Sequence, residues 1–239
     1  MQNKVRQLPE LSENVLQESI ADNFKPLGRV WLRDAINSED LLKLDRIVGN
    51  NESPGDRVGP SDLLTDALGP ESSVTRAIRN VLPDAAPVRV VSFSKSKMNN
   101  WAIPWHQDRV IAVKERHEVR GYSNWTKKGQ FWHCEPPISV LEQMLFVRIH
   151  LDEANDSNGT MKIAVGSHKL GLVKGSSAST LAGKFRIEST TARRGDILAL
   201  NMLTLHCSPG AILGRNRRVI RVDYANFKLP EPLEWAYRR

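Results

Sequence analysis

The sequence predicts a mainly β protein, a sandwich or barrel preceded by supporting helices. Two features carry this expectation. From Val88 onward, short segments alternate apolar and polar residues between turn-forming clusters, as antiparallel strands do. Before that point the apolar residues fall at helical spacing behind capping residues. With 239 residues and 40% apolar content, the chain can bury a substantial core as one domain. Its expected parts are a mainly helical support over 1–87, a β core over 88–228 with an insertion at 113–137, and a tail over 229–239.

Taken in order, "LPELSENVLQESIADNFKPLG" reads as a helix ended near Pro26, and "GRVWLRDAI" as a strand. "NSEDLLKLDRIV" offers Asn37 and Ser38 as N-caps, acidic residues in its first turn, and Leu41, Leu44 and Val48 on one face. "NNESPGDRVGPSD" has loop composition, and "ESSVTRAIRNVLPD" is a helix stopped by Pro83. In "LFVRIHL", Leu145, Val147, Ile149 and Leu151 share a core face; Phe146, Arg148 and His150 share the other, where the polar groups must be paired or aimed into a cavity. Turns around Asn158-Gly159 lead to "MKIAVGSH", and "RRGDILALNMLTLHCS" and "RRVIRVDYANF" read as two further strands. The 113–137 insertion is too long and irregular for an ordinary hairpin; its Tyr122, Trp125, Phe131 and Trp132 suit a pocket wall.

No run of about 18 apolar residues predicts a membrane span. The N-terminus lacks an apolar segment behind its charges, so a cytoplasmic protein is expected. Cys134 and Cys207 fit neither a disulfide framework nor a CxxC site. The net charge of +7 suits an anionic partner, but the basic residues are scattered, which argues against nucleic acid.

The chemistry begins at "PWHQD". On an extended strand residues i and i+2 point the same way, so His106 and Asp108 can converge on one ion. Of the remaining histidines, His206 is the best third ligand, because it ends an apolar strand and Ser208 follows at the next equivalent position. Two histidines and a carboxylate form the facial set used by non-haem Fe(II) oxygenases, whereas zinc prefers a fourth donor. Arg217, eleven residues further on, can clamp a distal carboxylate such as that of 2-oxoglutarate. Trp101, Trp132, His133, Arg148 and His150 are candidate pocket residues.

"PWHQD", "LEQMLFVRIHLDEANDSNGTMKIAVGSHKLG" and "LHCSPGAILGRNRRVIRVDYA" together resemble the phytanoyl-CoA dioxygenase family of Fe(II)- and 2-oxoglutarate-dependent oxygenases, in its bacterial branch. The resemblance spans roughly Val88 to Phe227. It implies a double-stranded β-helix, the cupin-like jelly roll, with iron on His106, Asp108 and His206, and Arg217 with Ser208 on the 2-oxoglutarate C5 carboxylate. Trp125 falls near a family aromatic that borders the cosubstrate, and Lys95 where related sequences carry a lysine.

The implied reaction consumes O2, oxidatively decarboxylates 2-oxoglutarate to succinate and CO2, and hydroxylates a small molecule; ascorbate is an expected stimulant. The related halogenases replace the carboxylate that Asp108 retains. Members act on amino acids, metabolites and natural-product intermediates, and the basic balance favours an anionic substrate. Two alternatives are a nucleic-acid demethylase of the same superfamily, which resembles a pattern with longer His-to-Arg spacing, and a non-catalytic metal-binding jelly roll. Oligomeric state is left open.

Overall fold

The computed structural model describes residues 20, 22–48, 55–212 and 216–237. Most of the expected N-terminal helix, the start of the 50–62 loop, Arg215 and the last two arginines lie outside them. Residues 22–27 are helical through Pro26, one residue further than the proline suggests.

Thirteen strands form three antiparallel sheets among the described residues. The largest runs β1 (Arg29–Leu32), β11 (Ile197–Asn201), β8 (Leu145–His150), β13 (Arg217–Ala225), β3 (Ala86–Lys95) and β2 (Asp56–Arg57). Facing it is a four-stranded sheet ordered β10 (Ile187–Ser189), β9 (Lys162–Ala164), β12 (His206–Ser208) and β4 (Ile103–His106). These opposed sheets are the jelly roll that the resemblance implies. A third sheet pairs β7 (Phe131–Glu135) with both β5 (Ile111–Val113) and β6 (Ser123–Lys128).

Both faces of the large sheet are covered: the outer one is apolar, and the inner one is apolar in part and carries buried charged residues in the rest. Its outer face, including Leu145, Val147, Ile149, Ile197, Ile220, Val222 and Tyr224, packs on three helices. These are α1 (Ser38–Val48), α2 (Asp62–Leu68) and α3 (Ser73–Arg79), which contribute Leu44, Val48, Leu64, Leu68, Val74 and Ile78. The caps follow sequence chemistry: Asn37 Oδ1 accepts from Asp40 N at 2.8 Å, and Ser61 and Ser72 cap α2 and α3. Asp40 then accepts from Ser73 N and Oγ at 2.7 and 2.6 Å, tying α1 to α3. On the inner face Phe146, Leu198 and Leu200 join a second core with Met161, Ile163 and Trp235.

Three expectations change. The 50–62 segment read as a loop contains β2, which with the expected strand β1 forms the two edges of the large sheet. The segment 113–137 does contain a hairpin, β6–β7, with Gly129 at φ 62° in its turn. "ILALNMLTLH" is two strands, not one. Thr204 N donates to Asn201 O at 3.0 Å and Leu203 N to Asn201 Oδ1 at 2.9 Å, so the chain turns there and carries His206 to the opposite sheet. No described helix is long and apolar enough to cross a membrane.

Gly159 sits at φ 71°, and a Cβ on it would lie 2.7 Å from Pro209 O and 2.8 Å from Ala211 N. The 156–159 turn and the 209–211 segment approach this closely only because Gly159 has no side chain. Gly159→Ala is therefore expected to cost at least about 1–2 kcal/mol, read as a lowered urea midpoint at unchanged m.

Candidate active site

His106 ends β4 and His206 begins β12, and the two are cross-strand partners in the four-stranded sheet. Their ring centroids lie 4.3 Å apart. Asp108 follows on the chain past Gln107, which points the other way and is buried. Gln107 Nε2 donates to Gly171 O and Leu203 O at 2.8 and 2.7 Å, and its Oε1 accepts from Val173 N at 2.8 Å. The middle residue of the HxD stretch thus anchors the loop that presents its two neighbours.

His106, Asp108 and His206 each offer a donor atom within 4.8 Å of the others. His106 Nδ1–H donates to Pro104 O at 2.8 Å and His206 Nδ1–H to Thr204 O at 2.9 Å. Since carbonyls only accept, these bonds leave both Nε2 lone pairs for a ligand. Burial and the neighbouring His206 lower the His106 pKa, which favours the neutral, ligating form. His206 Nε2 lies 3.2 Å from Asp108 Oδ2. A lone pair facing a carboxylate oxygen at this range fits a shared cation, and the donor set suits iron.

Asp108 has a second attachment that sequence reasoning missed. Arg221 Nη1 donates to its carboxylate, while Arg221 Nε and Nη2 donate to Asp223 at 2.7 and 3.2 Å. Arg89 Nη1 donates to the same Asp223 at 3.1 Å. Burial raises the Asp108 pKa, but Arg221 and His206 outweigh it and hold the carboxyl well below its usual range. The signal was present in the alternation of "RRVIRVDYA", which puts Arg217, Arg221 and Asp223 on one face.

Arg217 is 2% exposed, and its Nε and Nη1 have no hydrogen-bond partner. Beside it in register stands Lys95, whose Nζ donates to Ser208 Oγ at 3.2 Å and to Pro209 O. Burial, with Arg217 and Arg148 nearby, pushes the Lys95 pKa down to about 8. A buried, unpartnered guanidinium beside an ammonium fits a carboxylate ligand.

A cavity of about 280 Å³ joins these groups, lined by Trp101, His106, Asp108, Arg148, His206, Ser208 and Arg217 among others. Five candidates do not line it. Lys95 is fully buried and reaches the cavity only through its bond to Ser208, which does line it. His150 is fully buried on β8, beside Trp31 at a ring distance of 5.9 Å. The face assignment was right, but His150 lies opposite Val219 while Arg148, one pair along opposite Arg221, reaches the cavity. His133, Trp125 and Trp132 belong to the β5–β7–β6 sheet: the two tryptophans pack on its core, and His133 is buried opposite Ala112. Hairpin pairing, unseen in the sequence, turns them away from the cavity.

The model for Phytanoyl-CoA dioxygenase (PhyH) matches residues 28–219. No curated protein sequence matches the chain. Among solved structures, AviO1 from Streptomyces viridochromogenes is similar at 18% identity and a TM-score of 0.59, over 90% of this chain and 96% of that one. EctD from S. alaskensis, in a structure with 2-oxoglutarate and 5-hydroxyectoine, is 17% identical with a TM-score of 0.64, over 92% and 82%. SnoN, described as a non-heme alpha ketoglutarate dependent epimerase from nogalamycin biosynthesis, is 13% identical with a TM-score of 0.61, over 89% and 84%. At these identities the neighbours share the fold, and the family model, covering most of the sequence, decides the kinship: the chain belongs to the phytanoyl-CoA dioxygenase family.

Proposed function

We propose that the protein is an Fe(II)- and 2-oxoglutarate-dependent oxygenase that hydroxylates a small molecule. The observation that carries this reading is one cavity holding both a three-donor cluster and an unpartnered, buried arginine. A metal-binding jelly roll without catalysis has no use for Arg217. Iron and 2-oxoglutarate, when bound, would supply the activation of O2, with succinate and CO2 as coproducts.

The chain's own residues do the positioning. His106, Asp108 and His206 would hold the metal on one side, which leaves adjacent positions open toward the cavity. Arg217 would clamp the distal carboxylate of the cosubstrate, with Lys95 and Ser208 beside it. Arg221 keeps Asp108 ionised and aimed, and Asp223 with Arg89 holds Arg221 in turn. Trp101, Phe93 and Phe146 supply apolar cavity wall that limits water. Asp108 occupies the position that the related halogenases vacate, so oxygen insertion is the proposed outcome. Incorporation of one 18O atom from 18O2 into product tests it; a product lacking label would redirect the reading to an epimerase- or cyclase-type outcome.

Asp108→Ala is expected to abolish Mn(II) binding by calorimetry. Arg217→Ala is expected to leave Mn(II) binding intact and weaken 2-oxoglutarate by roughly 30-fold or more, as truncation of a buried charge partner does. Equal loss of both ligands in both variants would overturn the division of roles.

Arg221→Gln separates positioning from ligation. It leaves Asp108 without its guanidinium and Asp223 with Arg89 alone, so about 3–5 kcal/mol of stability is expected to go. Metal affinity is expected to fall about 10–100-fold without being abolished. The check is a Mn(II) titration run at a temperature where the variant remains folded.

A further inference from the structure

The large sheet sets a scale inside the cavity. Along β3, Lys95 stands opposite Arg217, Val91 opposite Arg221, and Arg89 opposite Asp223; on the other side of β3, Arg57 of β2 also pairs with Val91. At about 3.3 Å per residue, Arg57 lies roughly 13 Å and Arg89 roughly 20 Å along the strand from the Arg217 end. A five-carbon diacid is shorter than either backbone offset.

Six cationic side chains line this cavity, Arg57, Arg89, Lys128, Arg148, Arg217 and Arg221, against the single carboxylate of Asp108. Three of them gather at the end away from Arg217. Arg89 is 7% exposed, Arg57 half-buried, and Lys128 exposed at the end of β6, so the group runs from inside the cavity to its mouth. Arg89 has Asp223 as a partner, but Asp223 also serves Arg221. Arg57 and Lys128 make no ion pair with any described residue; Arg57 donates through Nη1 to Gly55 O at 2.8 Å. The Nε atoms of both Arg57 and Arg89 are buried without a hydrogen-bond partner.

The three cations also act on one another. Burial, then Arg57 and Arg89, lowers the Lys128 pKa, and His133 behind them is pushed to about 4 by burial and then by Arg89, Lys128 and Arg57. Among the facing groups only Asp108 opposes this on Lys128. Desolvated like charges with donors aimed at nothing are costly unless a ligand compensates them. The hairpin and the β2 segment pack closely here, since a Cβ on Gly59 would lie 2.7 Å from Gln130 Nε2.

We propose that Arg57, Arg89 and Lys128 form the substrate's anion subsite, and that the substrate is a small molecule carrying an oxyanion, a phosphate or carboxylate, that docks at the cavity mouth. This rests on the oxygenase reading and gives that site a substrate class. Arg57 and Lys128 capture the anion at the rim, Arg89 donates from inside, and the remainder of the substrate extends toward the His106–Asp108–His206 cluster. A cavity of this size, partly filled by cosubstrate, suits a compact metabolite.

The test uses Mn(II)-loaded protein saturated with 2-oxoglutarate, which occupies the Arg217 end. Phenyl phosphate, benzoate and benzyl alcohol are titrated by calorimetry into wild type and into the Arg57→Gln, Lys128→Gln double variant. At least one anionic probe is expected to bind wild type at least tenfold tighter than benzyl alcohol; comparison of the two identifies the preferred oxyanion. The double variant is expected to lose that preference while keeping its 2-oxoglutarate affinity within twofold. Lys128 is exposed and Arg57 half-buried with one bond to a backbone carbonyl, and the retained 2-oxoglutarate affinity is itself the check on the fold. Equal binding of all three probes to wild type, or a preference that survives the double substitution, overturns the subsite. Failure of wild type to bind 2-oxoglutarate overturns the oxygenase reading itself, and the substrate role of the cluster with it.

Discussion

The buried ionic chain Asp108–Arg221–Asp223–Arg89 is the interaction on which the site depends. It crosses the sandwich: Asp108 follows β4 of the small sheet, while Arg221, Asp223 and Arg89 stand on neighbouring strands of the large one. A carboxylate placed there alone would be desolvated and protonated. Arg221 prevents this, but a lone buried guanidinium would be as costly, and Asp223 compensates it. Each member is tolerable only because the next is present. The geometry of the donor cluster is therefore a property of both sheets, not of the HxD stretch.

The same dependence explains which parts of the site can be read from sequence. His106 and Asp108 follow from strand alternation over two residues, and Arg217 and Ser208 from their spacing to His206. Arg148 was placed on the right face by the same period of two. Arg221, Asp223 and Arg89 share that period, but their significance comes from register between β3 and β13, which alternation does not specify. His150 shows the limit from the other side: it shares a face with Arg148, but a face is longer than a cavity. For the fold, the strands with strong alternation, such as β8 and β13, were visible, whereas β2 is two residues long in a loop-like composition. The turn at Asn201–Thr204 was hidden inside an apolar run because its hydrogen bonds come from one asparagine and backbone groups.

Charge shows a similar change of scale. In the sequence the basic residues are dispersed, and a net +7 says little about their purpose. In the structure six of them line one cavity. Two are accounted for by protein partners, since Arg221 holds Asp108 and Asp223, and Arg89 shares Asp223. Arg217, Arg148, Arg57 and Lys128 have no carboxylate partner among the described residues. A cleft lined by one sign of charge concentrates counter-ions, and its low-dielectric walls strengthen the effect.

Such a cavity pays for its own occupancy in stability. The unpartnered cations disfavour the empty folded state, because burial lowers the pKa of Arg217 and Arg148 and their neighbours add to it in the latter case. A dicarboxylate at one end and an oxyanion at the other, as proposed above, would relieve that repulsion from two directions. A metal held by His106, Asp108 and His206 would add positive charge to the cavity and so strengthen its hold on anions. Each ligand would then favour the next through the field alone.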